Sequence, residues 1–344
     1  MEFSSTVPWI SSKAKYDKTI SPRDKFASIL SEPTYYSQLK TLFDPKMEID
    51  DWKLVHCYFA FIYALRTTAE GNKFIHDRCF DIYHAEKRHW EAALNTIFMV
   101  PSLSNEFKKC TERFMQSADT RLAIPVRLLL NRLFQHRAYL RGCDFGCGLH
   151  IDLPLLASDY LPPGYQFPDS DIQNYNYPVP LSVGIGIDLY PPDLEWVKVC
   201  TSSLALTKKK ADVLDHELEY LLSLRMANVE KFSTVTADIF QFTSDKVVDF
   251  IITKKMRYQH GEDKQDLIKH AISRSLKEDG YWITIAEENY HTDGHAIYLK
   301  NETDEIWSYQ KQKGILVRIS DRPLIEVSRR SGIIVNYDTK VFMV

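Results

Sequence analysis

Cys143-Asp144-Phe145-Gly146-Cys147-Gly148 is the stretch that most restricts what this chain can fold into. A short segment, Ala138 to Asp144, runs into it and reads as a strand. It ends in an acid and two glycines one residue apart. A helix is expected after it, with Asp152 as N-cap and Pro154 in the first turn. Strand, glycine turn and helix together bring backbone N–H groups and a helix N-terminus close to a bound ligand. The dinucleotide fingerprint needs a third glycine where Ile151 stands, so G-x-G-x-x-G is not met.

The chain before this turn reads as helical. Ser21-Pro22-Arg23-Asp24 has the pattern of an N-cap followed by proline at the first helical position. A helix is predicted over residues 50–69, apolar nearly all round at Cys57 to Tyr63 and so central in a bundle. Another is predicted from about 74 to 98, where Phe80, Tyr83, Trp90, Leu94 and Ile97 recur at helical spacing. Two more are expected near 104–116 and 120–135. His56, His76, His84, Glu86 and His89 fall in this region. Glu86-x-x-His89 is half of a dinuclear carboxylate motif. No second half accompanies it, so these read as solvated or capping histidines and no metal is expected.

From Ala138 the pattern alternates between strands and helices, the mark of an α/β sheet. Strands are predicted at 138–144, 181–188, 232–236, 247–253 and 281–286. Helices are predicted from Asp152, over 192–226 with a break near Thr207, over 263–276, over 296–311 and over 322–330. Residues 315–319 read as extended. Two short strands, 333–337 and 340–344, close the sequence as a hairpin. The run Val247 to Thr253 is apolar enough for a central parallel strand.

Composition narrows the function classes. At 344 residues and 44% apolar there is material for one large or two moderate domains. A net charge of −3 argues against nucleic-acid binding through bulk charge. The first 18 residues are polar and lack the apolar core of a secretory signal. The longest apolar run, Cys57 to Leu65, is nine residues, too short to span a bilayer. Six cysteines without C-x-x-C spacing point to reduced thiols in a cytoplasmic protein.

Taken in order, these features make residues 120–344 resemble a class I S-adenosylmethionine-dependent methyltransferase. The carriers are Asp144-Phe145-Gly146-Cys147-Gly148 after the first strand, Ile187-Asp188 at the end of the second and Ala237-Asp238-Ile239 after the third. Asp249-Phe250-Ile251-Ile252 follows in the fourth, and Leu276-Lys277-Glu278-Asp279-Gly280 comes before the fifth. The resemblance implies a Rossmann-like mixed seven-stranded sheet with helices on both faces, preceded by an N-terminal α-helical domain over residues 1–119. It implies S-adenosyl-L-methionine as cofactor. Asp144, Gly146 and Gly148 would face its methionine part, Asp188 its ribose, and Asp238 and Ile239 its adenine, with Leu189 also in the cofactor site and Thr253 at the edge of the fourth strand. An acid ending a strand also serves as a turn former or helix cap, and Asp188 can be read that way toward Pro191-Pro192.

Two departures from the family matter. Asp188 follows Asp144 by 44 positions, where about 20 is ordinary for a βαβ unit of this kind. The excess is an aromatic and proline-rich stretch near residues 160–180, expected as a lid or one wall of the substrate pocket or as a belt packed on the helical region. The residues after the fourth strand, Thr253-Lys254-Lys255-Met256-Arg257-Tyr258, lack the Asn/Asp-Pro-Pro-Tyr/Phe platform of nucleic-acid amino methyltransferases. Catalytic candidates on loops at the carboxyl edge are His291, His295 and Tyr258, beside Glu287, Glu288, Asp293, His260 and His150. The resemblance implies methyl transfer to an O or N atom of a small molecule, with the helical region as cap or homodimer interface. Protein methylation, aminopropyl transfer and a non-catalytic scaffold that binds a partner are the alternatives.

Overall fold

The computed structural model describes residues 21–43, 51–116, 123–161, 176–242, 248–254, 264–285, 306–310, 315–319 and 325–329. In chain order the helices are α1 Pro22–Leu30, α2 Pro33–Leu42, α3 Asp51–Thr67, α4 Ala69–Arg78, α5 Lys87–Met99, α6 Pro101–Cys110, α7 Ala123–Leu133, α8 Asp152–Leu156, α9 Leu194–Ser202, α10 Lys208–Met226 and α11 Gln265–Ser275. The strands are β1 Leu140–Phe145, β2 Leu181–Asp188, β3 Phe232–Thr236, β4 Val248–Lys254, β5 Leu276–Ile285, β6 Ile306–Gln310, β7 Ile315–Ile319 and β8 Ile325–Arg329. The chain divides into two compact units, residues 1–117 with 194–219, and residues 118–193 with 220–344.

The first unit is helical. Ser21 caps α1 by accepting from the Asp24 N–H at 3.2 Å, with Pro22 at the first helical position. α3 is central, and Cys57 through Ile62 are all buried. The single helix expected over 74–98 is two. α4 stops at Cys79, which is left-handed at φ 48°, and Asp81 then accepts from the Tyr83 N–H at 2.9 Å to form a turn. Glu86 and His89 form a reciprocal cap at the start of α5, the Glu86 N–H donating to His89 Nδ1 at 3.1 Å. Phe26, Phe61, Phe80 and Trp90 build the centre of the core with ring separations of 4.9 to 6.4 Å.

Residues after β2 complete this unit. Trp196, Val199 and Cys200 of α9 are buried in its core. The indole N–H of Trp196 donates to Phe114 O at 2.9 Å, and the Arg113 guanidinium lies 4.6 Å from the Trp196 ring and 5.4 Å from the Tyr63 ring. Tyr58 and Tyr83 donate to the carbonyls of Ser203 and Ser202, each at 2.9 Å.

The second unit is α/β and Rossmann-like. Its sheet runs β3-β2-β1-β4-β5-β8, with β1 through β5 parallel and β8 antiparallel to β5. Alternation along the strands sends Cys143, Phe145, Ile185, Ile187 and Ile251 into one cluster with Ile268, Ala271 and Ile272 of α11. On β2, Gly184 turns toward Leu153 of α8 and Phe232, and Gly186 toward His150. Phe134, just after α7, packs on Phe250 and Tyr281 at 6.3 and 5.3 Å. Sequence order reverses between β1 and β4, which makes their carboxyl ends the topological switch point, with β2 on the other side of β1.

Several expectations are corrected. Among the described residues the main sheet has six strands, not seven, and β6 and β7 form a separate antiparallel pair. Where a helix was expected over 296–311, residues 306–310 are a strand. Ile-Trp-Ser-Tyr-Gln is rich in β-branched and aromatic residues, and it pairs with residues 315–319. The helix expected over 322–330 gives way to β8. Ile325-Glu326-Val327-Ser328 alternates with period two, and that pattern prevails over the three-residue step from Leu324 to Val327. β5 begins at Leu276, earlier than expected, because Val248 pairs with Leu276 before the register shifts to Phe250 with Tyr281. The closing hairpin expected over 333–344 lies outside the described residues.

Both flanks of the aromatic stretch are tied to α7. The fully buried Arg127 donates through Nη2 to Leu155 O at 2.7 Å and Tyr160 O at 3.0 Å, and through Nη1 to Asn176 Oδ1 at 3.2 Å. One turn on, Asn131 Nδ2 donates to Tyr177 O at 2.6 Å. Residues 162–175 lie outside the described residues.

Candidate functional site

The glycine turn after β1 is a left-handed loop. Gly146 has φ 72°, Gly148 φ 54° and His150 φ 52°. The first two positions need glycine, since a Cβ there would strain the backbone. The loop is fastened to β2 through its amide groups. Gly146 and Cys147 N–H both donate to Ile187 O, at 2.8 and 3.2 Å, and Gly148 N–H donates to Asp188 Oδ2 at 2.8 Å. His150 N–H closes the turn on Cys147 O at 2.7 Å.

Asp188 is the hub of the edge. Its Oδ1 accepts from Tyr190 N–H at 3.1 Å, and its carbonyl accepts from Ala237 N–H at 2.9 Å, joining β2 to the segment after β3. The alternative reading of Asp188 as a turn former therefore has a real counterpart. The same carboxylate also holds the glycine loop, and the first helix after it begins only at Leu194. Asp144 is fully buried at the end of β1, in register with Gly186 on one side and Ile252 on the other. Phe145 pairs across to Thr253, which is buried and accepts from Trp282 Nε1–H at 2.9 Å.

Asp238 and Ile239 follow β3 on the same edge. Asp238 Oδ1 accepts from Phe240 N–H at 3.0 Å in an Asx turn, and Ile239 is buried. Leu189, beside the buried Asp188, is 46% exposed and offers an apolar surface there. Asp144, Gly146, Gly148, Asp188, Leu189, Asp238, Ile239 and Thr253 thus all lie on or just after the carboxyl ends of four adjacent parallel strands. His291, His295 and Tyr258, with Glu287, Glu288, Asp293 and His260, lie outside the described residues.

Burial governs the loop's other titratable groups. Burial pushes the Cys147 thiol up, and the Asp144 and Asp188 carboxylates push it further. Burial and then Asp144 do the same to Cys143. These cysteines pack; all six in the chain are free thiols. His150 stood among the general-base candidates as a loop residue. It is instead fully buried, and burial, with a further push from Arg225, lowers its pKa to about 3. Sequence spacing gave no sign of that, because a polar residue after a glycine turn ordinarily faces water. Among the described residues no group of three or more His, Cys, Asp or Glu side chains could hold a metal ion. Likewise no described helix is long and apolar enough to cross a membrane.

No family model and no curated protein matches the chain. It is similar to solved structures of methyltransferases. With the N-methyltransferase NodS of Bradyrhizobium japonicum it shares 14% identity over 46% of this chain and 65% of that one, at a TM-score of 0.28. A SAM-dependent methyltransferase from Thiobacillus denitrificans, solved with S-adenosyl-L-homocysteine, shares 18% over 50% of each chain, at 0.27. A Haemonchus contortus phosphoethanolamine N-methyltransferase shares 16% over 51% of this chain and 29% of that one, at 0.28. The chain thus spans less than two thirds of the length of these proteins.

Proposed function

We propose that the carboxyl edge of β1, β2, β3 and β4 binds S-adenosyl-L-methionine and that the protein transfers its methyl group to an O or N atom of a small molecule. The observation that carries this reading is the left-handed glycine loop at the switch point, fastened by the Gly148 N–H to the carboxylate of Asp188 at the end of the neighbouring strand. An open α/β sheet binds its ligand at such a place. The antiparallel β8 beside β5 agrees with the mixed sheet of the resemblance, where a dinucleotide-binding sheet would continue parallel.

The residues present suit the cofactor chemically. The glycines let main chain approach without a Cβ. Asp144 provides negative charge at the end of β1 for an ammonium group. Asp188 provides a carboxylate acceptor for vicinal hydroxyls, with Leu189 exposed beside it. Asp238 is an acceptor for an exocyclic amine, and Ile239 an apolar neighbour for a purine. The cofactor supplies an already activated methyl group, so the protein's task is mainly to bind, orient and exclude water. His291, His295 and Tyr258 are assigned to taking up a proton from the acceptor. Residues 1–119 are assigned to the acceptor side, as a cap or a dimer interface. Six free thiols suit a cytoplasmic setting.

Calorimetric titration with S-adenosyl-L-methionine and S-adenosyl-L-homocysteine tests the reading. Micromolar binding, weakened at least about tenfold by Asp188→Ala, is the expected result. Absence of heat and of thermal stabilisation with both ligands would overturn it.

A further inference from the structure

Three unusual properties meet in His150. Its backbone is left-handed at φ 52°, a conformation that costs a residue with a Cβ. Its side chain is fully buried, yet neither ring nitrogen has a hydrogen-bond partner among the described residues. Its ring also occupies the space of a missing side chain. A Cβ built on Gly186 of β2 would stand 2.5 Å from His150 Cγ and 2.6 Å from Cδ2. Two of these features oppose folding, and strained, unsatisfied residues persist where the surroundings hold them in place, most often beside functional sites.

The surroundings here do hold it. Gly186 provides the hole, Phe232 meets the ring edge-on at 6.2 Å, and Cys147 Sγ bounds the same space. Arg225 Nη1 donates to the carbonyl of Leu149, one residue before His150, at 2.8 Å. The main chain of Gly148, two residues earlier, carries the amide that meets Asp188. The loop is therefore gripped by β2 in two ways, through the amide hydrogen bonds of Gly146, Cys147 and Gly148 and through a wedged ring at His150.

The geometry points to His150 as a positioning residue of the cofactor loop: its ring, wedged into the space left by Gly186, sets the left-handed path that holds the Gly146–Gly148 main chain and Asp188 in place at the edge where the ligand binds. The inference rests on the cofactor reading above. It concerns the shape of the ring and not its nitrogens. It also explains why β2 carries a glycine at 186, where the apolar alternation would otherwise place a larger residue.

The test is a set of calorimetric titrations with S-adenosyl-L-methionine, each run well below the variant's own unfolding midpoint. His150→Gly relieves the backbone strain but removes the wedge, and is expected to bind about tenfold more weakly while still folded. His150→Phe keeps a ring of similar outline and is expected to stay within about threefold of wild type. Gly186→Ala is expected to lose binding or to fail to fold, and adding His150→Gly to it should restore a folded chain. Undiminished binding by His150→Gly would overturn the inference. So would a harmless Gly186→Ala in the wild-type background, or a folded His150→Phe that no longer binds. Failure of the wild-type protein to bind would instead sink the cofactor reading itself, a result separable from all of these.

Discussion

Lys277 Nζ lies 2.6 Å from Oδ1 of Asp249, a carboxylate that is almost wholly buried near the start of β4. The other oxygen of Asp249 accepts from the Arg141 N–H at 2.7 Å, so one acid ties together the amino-terminal ends of β1, β4 and β5. Removing it leaves a buried amide without its acceptor and the lysine without its counter-charge. Asp249→Ala should lower stability by about 2–4 kcal/mol, measured by urea unfolding. Lys277→Met should cost less, about 1 kcal/mol, because the lysine is 34% exposed and Arg137 Nη1, 3.8 Å from the same oxygen, still faces the carboxylate. Thr253, at the other end of β4, is about 13 Å away along the strand. Cofactor affinity should therefore stay within about twofold in both variants.

Arg127 offers a second stability test. A single guanidinium meets Leu155 O, Tyr160 O and Asn176 Oδ1, so it joins both flanks of the aromatic stretch to α7. Its planar fork makes three bonds in fixed directions, which one ammonium cannot reproduce. Arg127→Met should cost about 2–4 kcal/mol, and Arg127→Lys should recover little of it. Equal stability of Arg127→Lys and wild type in urea would show that charge alone suffices at this site.

The sheet was legible because its signals are local. A glycine turn fixes the end of β1, an apolar run marks β4, and acids punctuate the exits of β2 and β3. The helical start of the chain was legible for the same reason, through Ser21, Pro22 and the all-round apolar face of α3. What was not legible depends on single backbone conformations, or on pairing and burial that apolar spacing does not encode. The split between α4 and α5 turns on the left-handed Cys79, a position that the stripe from Phe80 to Ile97 masks. β6 and β8 were read as helices because short segments with apolar residues three apart also alternate in twos, and pairing decides between the two. The site acids could be named from sequence. That Asp188 grips Gly148 across 40 residues, or that His150 is buried on Gly186, could not, because a side chain after a turn has no periodic neighbour to betray its direction.

Residues 194–219 bear on where the chain can be cut. By sequence they sit between β2 and β3, yet Trp196, Val199 and Cys200 are buried with the helical residues of the first unit. A chain beginning at residue 120 would expose them. Uncovering Trp196 alone costs several kcal/mol on the scale of about 25 cal/mol per Å² for a side chain of about 200 Å². Such a chain is expected to aggregate on gel filtration, where the 344-residue chain elutes as one sharp species. Elution of the shortened chain as a single folded species would show that residues 194–219 need nothing from residues 1–117.

Acid should act on the loop through His150. Its folded-state pKa is about 3, lowered by burial first and Arg225 second, while an unfolded histidine titrates near 6.5. Below about pH 6.5 the unfolded chain binds a proton that the folded chain refuses. The contribution to stability is therefore complete above that pH, and it is lost as pH falls from about 6.5 toward about 3, at up to about 1.4 kcal/mol per pH unit. Carboxylates held in the fold add their own acid losses lower in the range, so the comparison must be made against a chain without this imidazole. Between pH 7.5 and 5.5, wild type should lose about 1.4 kcal/mol more than His150→Phe in urea unfolding. Parallel losses in the two proteins would mean that the ring is reached by solvent and takes up its proton in the folded state.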